Sequence, residues 1–190
     1  ASPELLSPMG LDAVVLATGS NPCADDISGF SSSRALEVSQ VYECLDQIGY
    51  HVLIVGAGAS GCEAALFLAE EGRDVTIVEQ SQAAMPQFSR LPRIALIDKL
   101  RSANVTLHPE MRVIQLCVDG VTAVDFSGRS VFFEADTIIA ANGRQGQSNE
   151  LLKFIECAPT VTMAGSGRRA ASLYHCIHDG NAVGRNLAFL

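Results

Sequence analysis

Apolar residues recur along the chain either in short continuous runs or in helical spacing. Residues 51–55, 74–79 and 136–141 are rich in Val, Ile and Leu or Ala, and they predict buried strands. Residues 59–71 have helical spacing, and Gly72 follows them where a helix commonly ends. Strands without polar alternation are typical of a parallel sheet that is covered on both faces. The first strand, the helix and the second strand therefore form a βαβ unit.

Other segments extend this unit. Residues 91–103 predict an amphipathic helix, and residues 105–107 predict a third parallel strand. Dipeptides typical of hairpin turns, at 119–120 and 127–128, separate three short strands and predict an antiparallel meander. The remaining predictions are a strand at 12–19, a loop at 20–33, helices at 36–48, 149–155 and 170–190, and a strand at 160–164.

The residues between the first strand and its helix carry the strongest chemical signal. Residues 56–61 read Gly-Ala-Gly-Ala-Ser-Gly, which is the G-x-G-x-x-G fingerprint of dinucleotide-binding turns. Gly56 permits the tight turn, Gly58 allows a pyrophosphate to approach the backbone, and Gly61 allows close packing of helix on strand. The helix N-terminus, with Ala59 and Ser60, directs free N–H groups at the phosphates.

An acidic residue completes the fingerprint and bears on the choice of dinucleotide. Glu79 ends the second strand, where its carboxylate can accept hydrogen bonds from the adenosine ribose hydroxyls. The same carboxylate repels a 2′-phosphate, and the first basic residue beyond Gln80 is Arg90. The sequence therefore predicts NAD(H) rather than NADP(H) as the cofactor of this site.

Composition excludes several classes of partner. The chain of 190 residues has a formal net charge of -8, which disfavours binding to nucleic acid. Its apolar runs are shorter than a bilayer span requires, and its first residues do not resemble a signal peptide, so we expect no membrane partner. The absence of an initiator Met and a strand so near the start suggest a piece of a longer polypeptide.

The six cysteines are scattered, and no two of them form a C-x-x-C pair. This pattern suits a reducing cytoplasm and argues against a redox dithiol or an iron–sulfur cluster in this chain. His175, Cys176 and His178 do not share one helix face, so they predict no metal site.

The order of these motifs resembles that of the pyridine-nucleotide:disulfide-oxidoreductase type of flavoprotein, in particular the C-terminal half of the 2-enoate and 2,4-dienoyl-CoA reductase group. Residues 14–19 resemble the family's A-T-G motif, and Glu63 extends the fingerprint to G-x-G-x-x-G-x-E. Residues 177–180, Ile-His-Asp-Gly, resemble its late I-H-E-G segment. The resemblance covers nearly the whole chain.

The resemblance implies an α/β fold: a Rossmann-like, three-layer NAD-binding domain with a meander at residues 36–157, and pieces of an FAD-binding Rossmann-like domain at 1–35 and 158–190. It further implies a missing upstream FAD half and a flavin barrel on the same polypeptide, where an enoate or enoyl-type substrate would be reduced. No catalytic acid or base is assigned to this chain. The residues implied at the two cofactors, beyond the fingerprint, are Glu63, Val113 and Gly143 for NAD, and Ala17, Thr18, Gly19, Gly165 and Ser166 for FAD.

One position departs from the family pattern. Ser166 stands where the family has an Asp that holds the FAD ribitol, and a hydroxyl binds more weakly than a carboxylate. This departure leaves three hypotheses open. The chain is the NADH-oxidising part of a flavoprotein reductase, an NAD-binding regulatory or structural module with a degenerate FAD site, or a structural remnant that binds no cofactor.

Overall fold

The computed structural model describes residues 1–23, 28–29 and 35–187. The chain divides into two compact units, of which the first combines residues 1–22 with 144–190 and the second is residues 23–143. The α-helices are α1 (Pro3–Leu6), α2 (Ala59–Glu70), α3 (Arg90–Ser102), α4 (Leu151–Phe154) and α5 (Leu173–Leu187). The strands are β1 (Ala13–Leu16), β2 (Ser20–Pro22), β3 (Leu36–Glu37), β4 (His51–Val55), β5 (Asp74–Val78), β6 (Thr106–His108), β7 (Met111–Leu116), β8 (Gly120–Asp125), β9 (Ser130–Glu134), β10 (Thr137–Ala140), β11 (Arg144–Gly146) and β12 (Thr160–Met163).

The second unit is built on a five-stranded parallel sheet in the order β3-β10-β4-β5-β6. Val52 and Ile54 of β4 pack with the core beneath α2 and α3, whereas Leu53 and Val55 pack with the core beneath the meander. Successive residues of a strand point to opposite faces, so both faces of this sheet are covered. The predicted three-layer α/β fold is confirmed, and double coverage explains why the strand lacks polar alternation.

The predicted meander is present as the antiparallel sheet β7-β8-β9. Its inner residues, Leu116, Val121 and Ala123, are buried against the central sheet. Helix α2 buries Ala64, Ala65 and Leu68 on the opposite face of that sheet, as its helical spacing predicts.

The first unit contains two small sheets. Strand β1 pairs in parallel with β12, and β2 pairs antiparallel with β11. Leu16, Phe154 and Met163 contribute to its own apolar core. The predicted strands at 12–19 and 160–164 and the helices at 149–155 and 170–190 are found, each within a few residues of its predicted bounds. Positions 188–190 of the last helix lie outside the described residues.

Two local predictions are wrong. Residues 36–48 do not form an α-helix: Leu36 and Glu37 extend the central sheet beside β10, and 3-10 turns follow at 38–40 and 45–47. The helix-like spacing arises because Val41 and Ile48 both enter the core at the edge of the sheet. Residues 20–33 are not entirely loop, since Ser20–Pro22 forms β2; positions 24–27 and 30–33 lie outside the described residues.

The boundaries of the units also differ from the predicted domain boundaries. Residues 144–157, predicted to belong with the NAD-binding domain, lie in the first unit. The physical reason is that β11 pairs with β2, and that Phe154 and Cys157 share a core with Val14. Conversely, the second unit begins at residue 23 rather than 36.

The turn after β4 gives a paired test of glycine packing. A Cβ built on Gly61 lies 2.1 Å from the carbonyl oxygen of Gly56, whereas a Cβ on Gly58 meets no atom within 4 Å. We expect Gly61→Ala to lower the free energy of unfolding by about 3 kcal/mol. Gly58→Ala should change it by less than about 0.5 kcal/mol, because Gly58 has φ -69° and ψ 179°, which alanine adopts readily. Thermal unfolding of the two variants checks this, and equal melting temperatures would contradict the packing.

Candidate functional site

A tight turn joins β4 to α2 and forms one wall of the candidate site. Gly56 has φ +108°, and a Cβ there would lie 2.5 Å from the carbonyl oxygen of Ala141 at the end of the neighbouring strand. The Gly56 amide donates to the carbonyl oxygen of Val78 at 2.8 Å, which fixes the turn against β5. Glycine is therefore required at position 56 both for its dihedral angles and for the close approach of β10.

The N-terminus of α2 faces out of this turn. Gly58 is the N-cap residue, and no side chain caps the helix. The first N–H groups of a helix lack partners within the helix, so those of α2 are available to an anion. A Cβ on Gly58 would project into open space, which is the condition for a phosphate group to approach the backbone here.

Glu79 follows β5 and is only 9% exposed. One carboxylate oxygen accepts a hydrogen bond from the Ala57 amide at 2.6 Å, and the other accepts from the Ser81 amide at 2.7 Å. Two ionic hydrogen bonds to backbone N–H groups hold the carboxylate in place. Each oxygen keeps a further acceptor position, so the group fits the ribose hydroxyls of an adenosine.

A cavity of about 440 Å³ lies between the turn and the acid, entirely within the second unit. This volume lies within the range of small-molecule sites. Of the sequence-predicted residues, Ala59, Ser60, Gly61 and Glu63 do not line it; the first three lie in the first turn of α2, and Glu63 follows that turn. The predicted residues that do line it are Gly56, Gly58, Glu79, Gln80, Val113 and Gly143.

Several lining residues were not expected from the sequence, among them Pro86, Gln87, Arg112 and Asn142. The amide of Asn142 donates to the carbonyl oxygen of Cys23 at 2.6 Å, and the Cys23 amide donates to the carbonyl oxygen of Gly143 at 3.0 Å. These bonds fix the loop after β10. No local motif marks these residues, because chain topology alone brings them beside the turn.

The first unit brings together the residues that resemblance assigns to FAD. A Cβ on Gly167 would lie 3.3 Å from the carbonyl oxygen of Gly19, so the turns that follow β1 and β12 lie side by side. A Cβ on Gly19 would meet no atom within 4 Å. A Cβ on Gly165 would meet only the Cys176 side chain, at 3.8 Å. Ala17, Thr18, Gly19, Gly165 and Ser166 thus occupy adjacent strand ends that a ligand could approach closely.

Asp179 of α5 supports this second region. Its carboxylate accepts from the Gly165 amide at 2.7 Å and lies 3.3 Å from the Arg168 guanidinium. Arg168 also donates to the carbonyl oxygen of Met163 at 3.0 Å. Asp179 therefore fixes the turn beside Ser166 and is already engaged by two partners.

The described residues contain no group of three His, Cys, Asp or Glu side chains that could hold a metal ion. Within the same residues, no helix has the length and apolar character needed to cross a bilayer.

A glycine turn, an uncapped helix N-terminus and an acid at the next strand end, all on a three-layer parallel sheet, define an α/β protein of the Rossmann type. The chain belongs to the pyridine nucleotide-disulphide oxidoreductase family, whose model matches residues 6–162. The resemblance drawn from the sequence motifs is thereby confirmed. Proteins of this family use FAD and a nicotinamide dinucleotide.

Three known proteins show what this chain is similar to. The chain is 29% identical over 161 residues to NADH oxidase of Thermoanaerobacter brockii, an alignment that covers 82% of this chain and 25% of that protein. It is 25% identical to cinnamate reductase of Clostridium sporogenes, over 98% of this chain and 28% of that one. The fold matches 2-naphthoyl-CoA reductase with a TM-score of 0.85 at 23% identity, over 97% of this chain and 28% of that one. The chain thus spans about a quarter of the length of these relatives.

Cys62, in the first turn of α2, is fully buried in the core, and the reactivity of its thiol tests that burial. Burial, with smaller effects of the Glu79 and Glu63 charges, raises the pKa of its thiol from an ordinary 9.0 to about 11. At pH 8 about 0.1% of the thiol is ionised, so Cys62 should react far more slowly with a thiol reagent than the partly exposed Cys44 and Cys117.

Peptide mapping of the natively labelled chain measures this difference. Labelling in denaturant is the control, since all six cysteines should then react. Because the thiol pKa is raised in the fold, Cys62 also favours the folded state below pH 9 and loses that contribution as the pH rises towards 11. Native labelling of Cys62 as fast as Cys117 would contradict its burial.

Proposed function

We propose that the chain is the dinucleotide-binding part of an NADH:flavin oxidoreductase, with NADH bound by the second unit. The observation that carries this proposal is the pairing of an open Gly58 with a fixed Glu79 across one cavity. The uncapped N–H groups of residues 58–61 would hold the pyrophosphate, and the Glu79 carboxylate would accept hydrogen bonds from the adenosine ribose.

The remaining residues orient the two ends of the dinucleotide. Val113 and Gly143 line the cavity and would contact the ends of the dinucleotide, while Glu63, exposed just after the first turn of α2, would lie towards the nicotinamide. Glu79 would favour NADH over NADPH, because a 2′-phosphate would place a second anion beside a carboxylate that is only 9% exposed. These residues bind and orient; none is proposed to transfer a proton.

The first unit would belong to the FAD-binding domain. The open strand ends at Gly19 and Gly165 fit a ligand that approaches the backbone, and the Ser166 hydroxyl would hydrogen-bond a ligand hydroxyl. When bound, FAD supplies the redox chemistry that accepts a hydride from NADH. The chain would contribute binding and orientation at these positions.

The substrate would be an enoate or an enoyl thioester, reduced outside this chain on a flavin-bearing barrel upstream in the same polypeptide. Similarity to cinnamate reductase at 25% identity supports this class of substrate. The cytoplasm is the proposed compartment, since all six cysteines are free thiols.

The second candidate is an NAD-binding regulatory or structural module whose FAD site has degenerated. Ser166 favours this candidate, because it lacks the carboxylate that the family has at this position to hold the FAD ribitol. The nearby carboxylate of Asp179 does not replace it, since Asp179 already accepts a hydrogen bond from the Gly165 amide and pairs with Arg168. The two candidates share the NADH site and differ in whether the larger protein holds FAD. The flavin absorbance of the purified full-length polypeptide distinguishes them.

Calorimetric titration of the 190-residue chain with NADH tests the shared site. We expect micromolar to sub-millimolar affinity, weaker binding of NADPH, and a loss of about tenfold in Gly58→Ala because the added Cβ occupies the phosphate approach. Gly180→Ala is the matched control, since a Cβ at Gly180 of α5 also meets no atom within 4 Å. Equal NADH affinity in the wild type and Gly58→Ala would contradict the proposed phosphate position.

A further inference from the structure

Arg112 is a cationic residue of the cavity that the fingerprint does not include. It lies in β7, and it lines both the cavity beside the turn and an adjoining recess of about 440 Å³. Within the part of the chain that the structure describes, its guanidinium forms no hydrogen bond or ion pair. An exposed arginine without a protein partner, at the junction of two cavities, is available to a ligand.

Backbone hydrogen bonds fix the place of this residue relative to Glu79. The Met111 amide donates to the carbonyl oxygen of Glu79 at 2.9 Å, and the Glu110 amide donates to the carbonyl oxygen of Ser81 at 3.1 Å. The start of β7 is therefore bonded to the residues that follow β5. Arg112 comes directly after this junction, and the recess that it shares with the cavity is lined by Gln80 but by no residue of the glycine turn.

The direction of a dinucleotide in such a site follows from its two anchors. With the pyrophosphate at residues 58–61 and the adenosine ribose at Glu79, the adenine must lie beyond Glu79. The recess beyond the cavity is lined by Gln80, by Glu110 and Arg112 at the start of β7, and by residues at the end of β8 and in the turn that follows it.

The recess beside Arg112 suits a flat, uncharged group better than it suits an anion. Besides Arg112 it is lined by Glu110 and Asp125, and by the apolar side chains of Val124 and Phe126. The Asp125 carboxylate accepts hydrogen bonds from Ser127 and the Arg129 amide, which hold the pKa of Asp125 below its ordinary value. With Glu79 nearby, three carboxylates face this space, and the guanidiniums of Arg112 and of Arg129, which pairs with Asp125 at 3.3 Å, offset them only in part.

We propose that Arg112 lies over the face of the adenine ring and is the adenosine-binding cation of this site. The proposal rests on the proposed NADH function. A planar guanidinium stacks on an aromatic face, and such contacts contribute through both the cation and the plane. The surrounding carboxylates disfavour the alternative, in which Arg112 pairs with the 2′-phosphate of NADPH.

The test compares ligands that contain or lack adenine, by titration of the 190-residue chain. Arg112→Ala should weaken binding of NADH and of ADP-ribose by about 2- to 30-fold and leave reduced nicotinamide mononucleotide unaffected. Arg112→Lys should recover only part of that loss, because lysine lacks the planar group. The control is Arg101→Ala, which removes an exposed arginine of α3 that pairs with Asp98 outside the cavity.

Each result has a distinct meaning. Failure of the wild-type chain to bind NADH and ADP-ribose overturns the proposed function and this proposal with it. If the wild-type chain binds both ligands and Arg112→Ala binds them with the same affinity, this proposal alone is overturned. Two results would show that Arg112 acts as a charge on a phosphate and would overturn the stacked arrangement. One is full recovery of affinity in Arg112→Lys. The other is a loss of affinity in Arg112→Ala that is about tenfold larger for 2′-phospho-ADP-ribose than for ADP-ribose.

Discussion

The site depends on the buried carboxylate of Glu79. Its two oxygens accept hydrogen bonds from the amides of Ala57 and Ser81, so one side chain joins the turn after β4 to the segment after β5. The carbonyl group of the same residue accepts from Met111, which places the start of β7 alongside. The glycine turn, the segment after β5 and the start of β7 are thus arranged around a single residue.

Much of the second unit could be predicted from the sequence because its strands are covered on both faces. Residues 51–55 alternate between the helix layer and the meander layer, and this requires an uninterrupted apolar run. The fingerprint predicted the turn for a similar reason, since Gly56 and Gly61 face backbone atoms that leave no room for a side chain. These are local constraints, and the sequence displays them directly.

The features that sequence could not predict depend on distant partners. The spacing of residues 36–48 suits a helix, yet Leu36 and Glu37 form a strand because they pair with the edge of β10. Residues 144–157 carry no boundary signal, and pairing of β11 with β2 assigns them to the first unit. Arg112 lies 33 positions beyond Glu79 in the chain, and only the fold makes them neighbours.

The central claim is that NADH lies across the turn of residues 56–61 and Glu79, and nuclear magnetic resonance of the isotope-labelled chain tests it most directly. On addition of NADH the largest amide shifts should occur at residues 57–61, at 79–81 and at 112–113, which line or border one cavity. Reduced nicotinamide mononucleotide should leave the signals of 79–81 unchanged. Shifts confined to residues 165–179, or none at saturating NADH, would contradict this account.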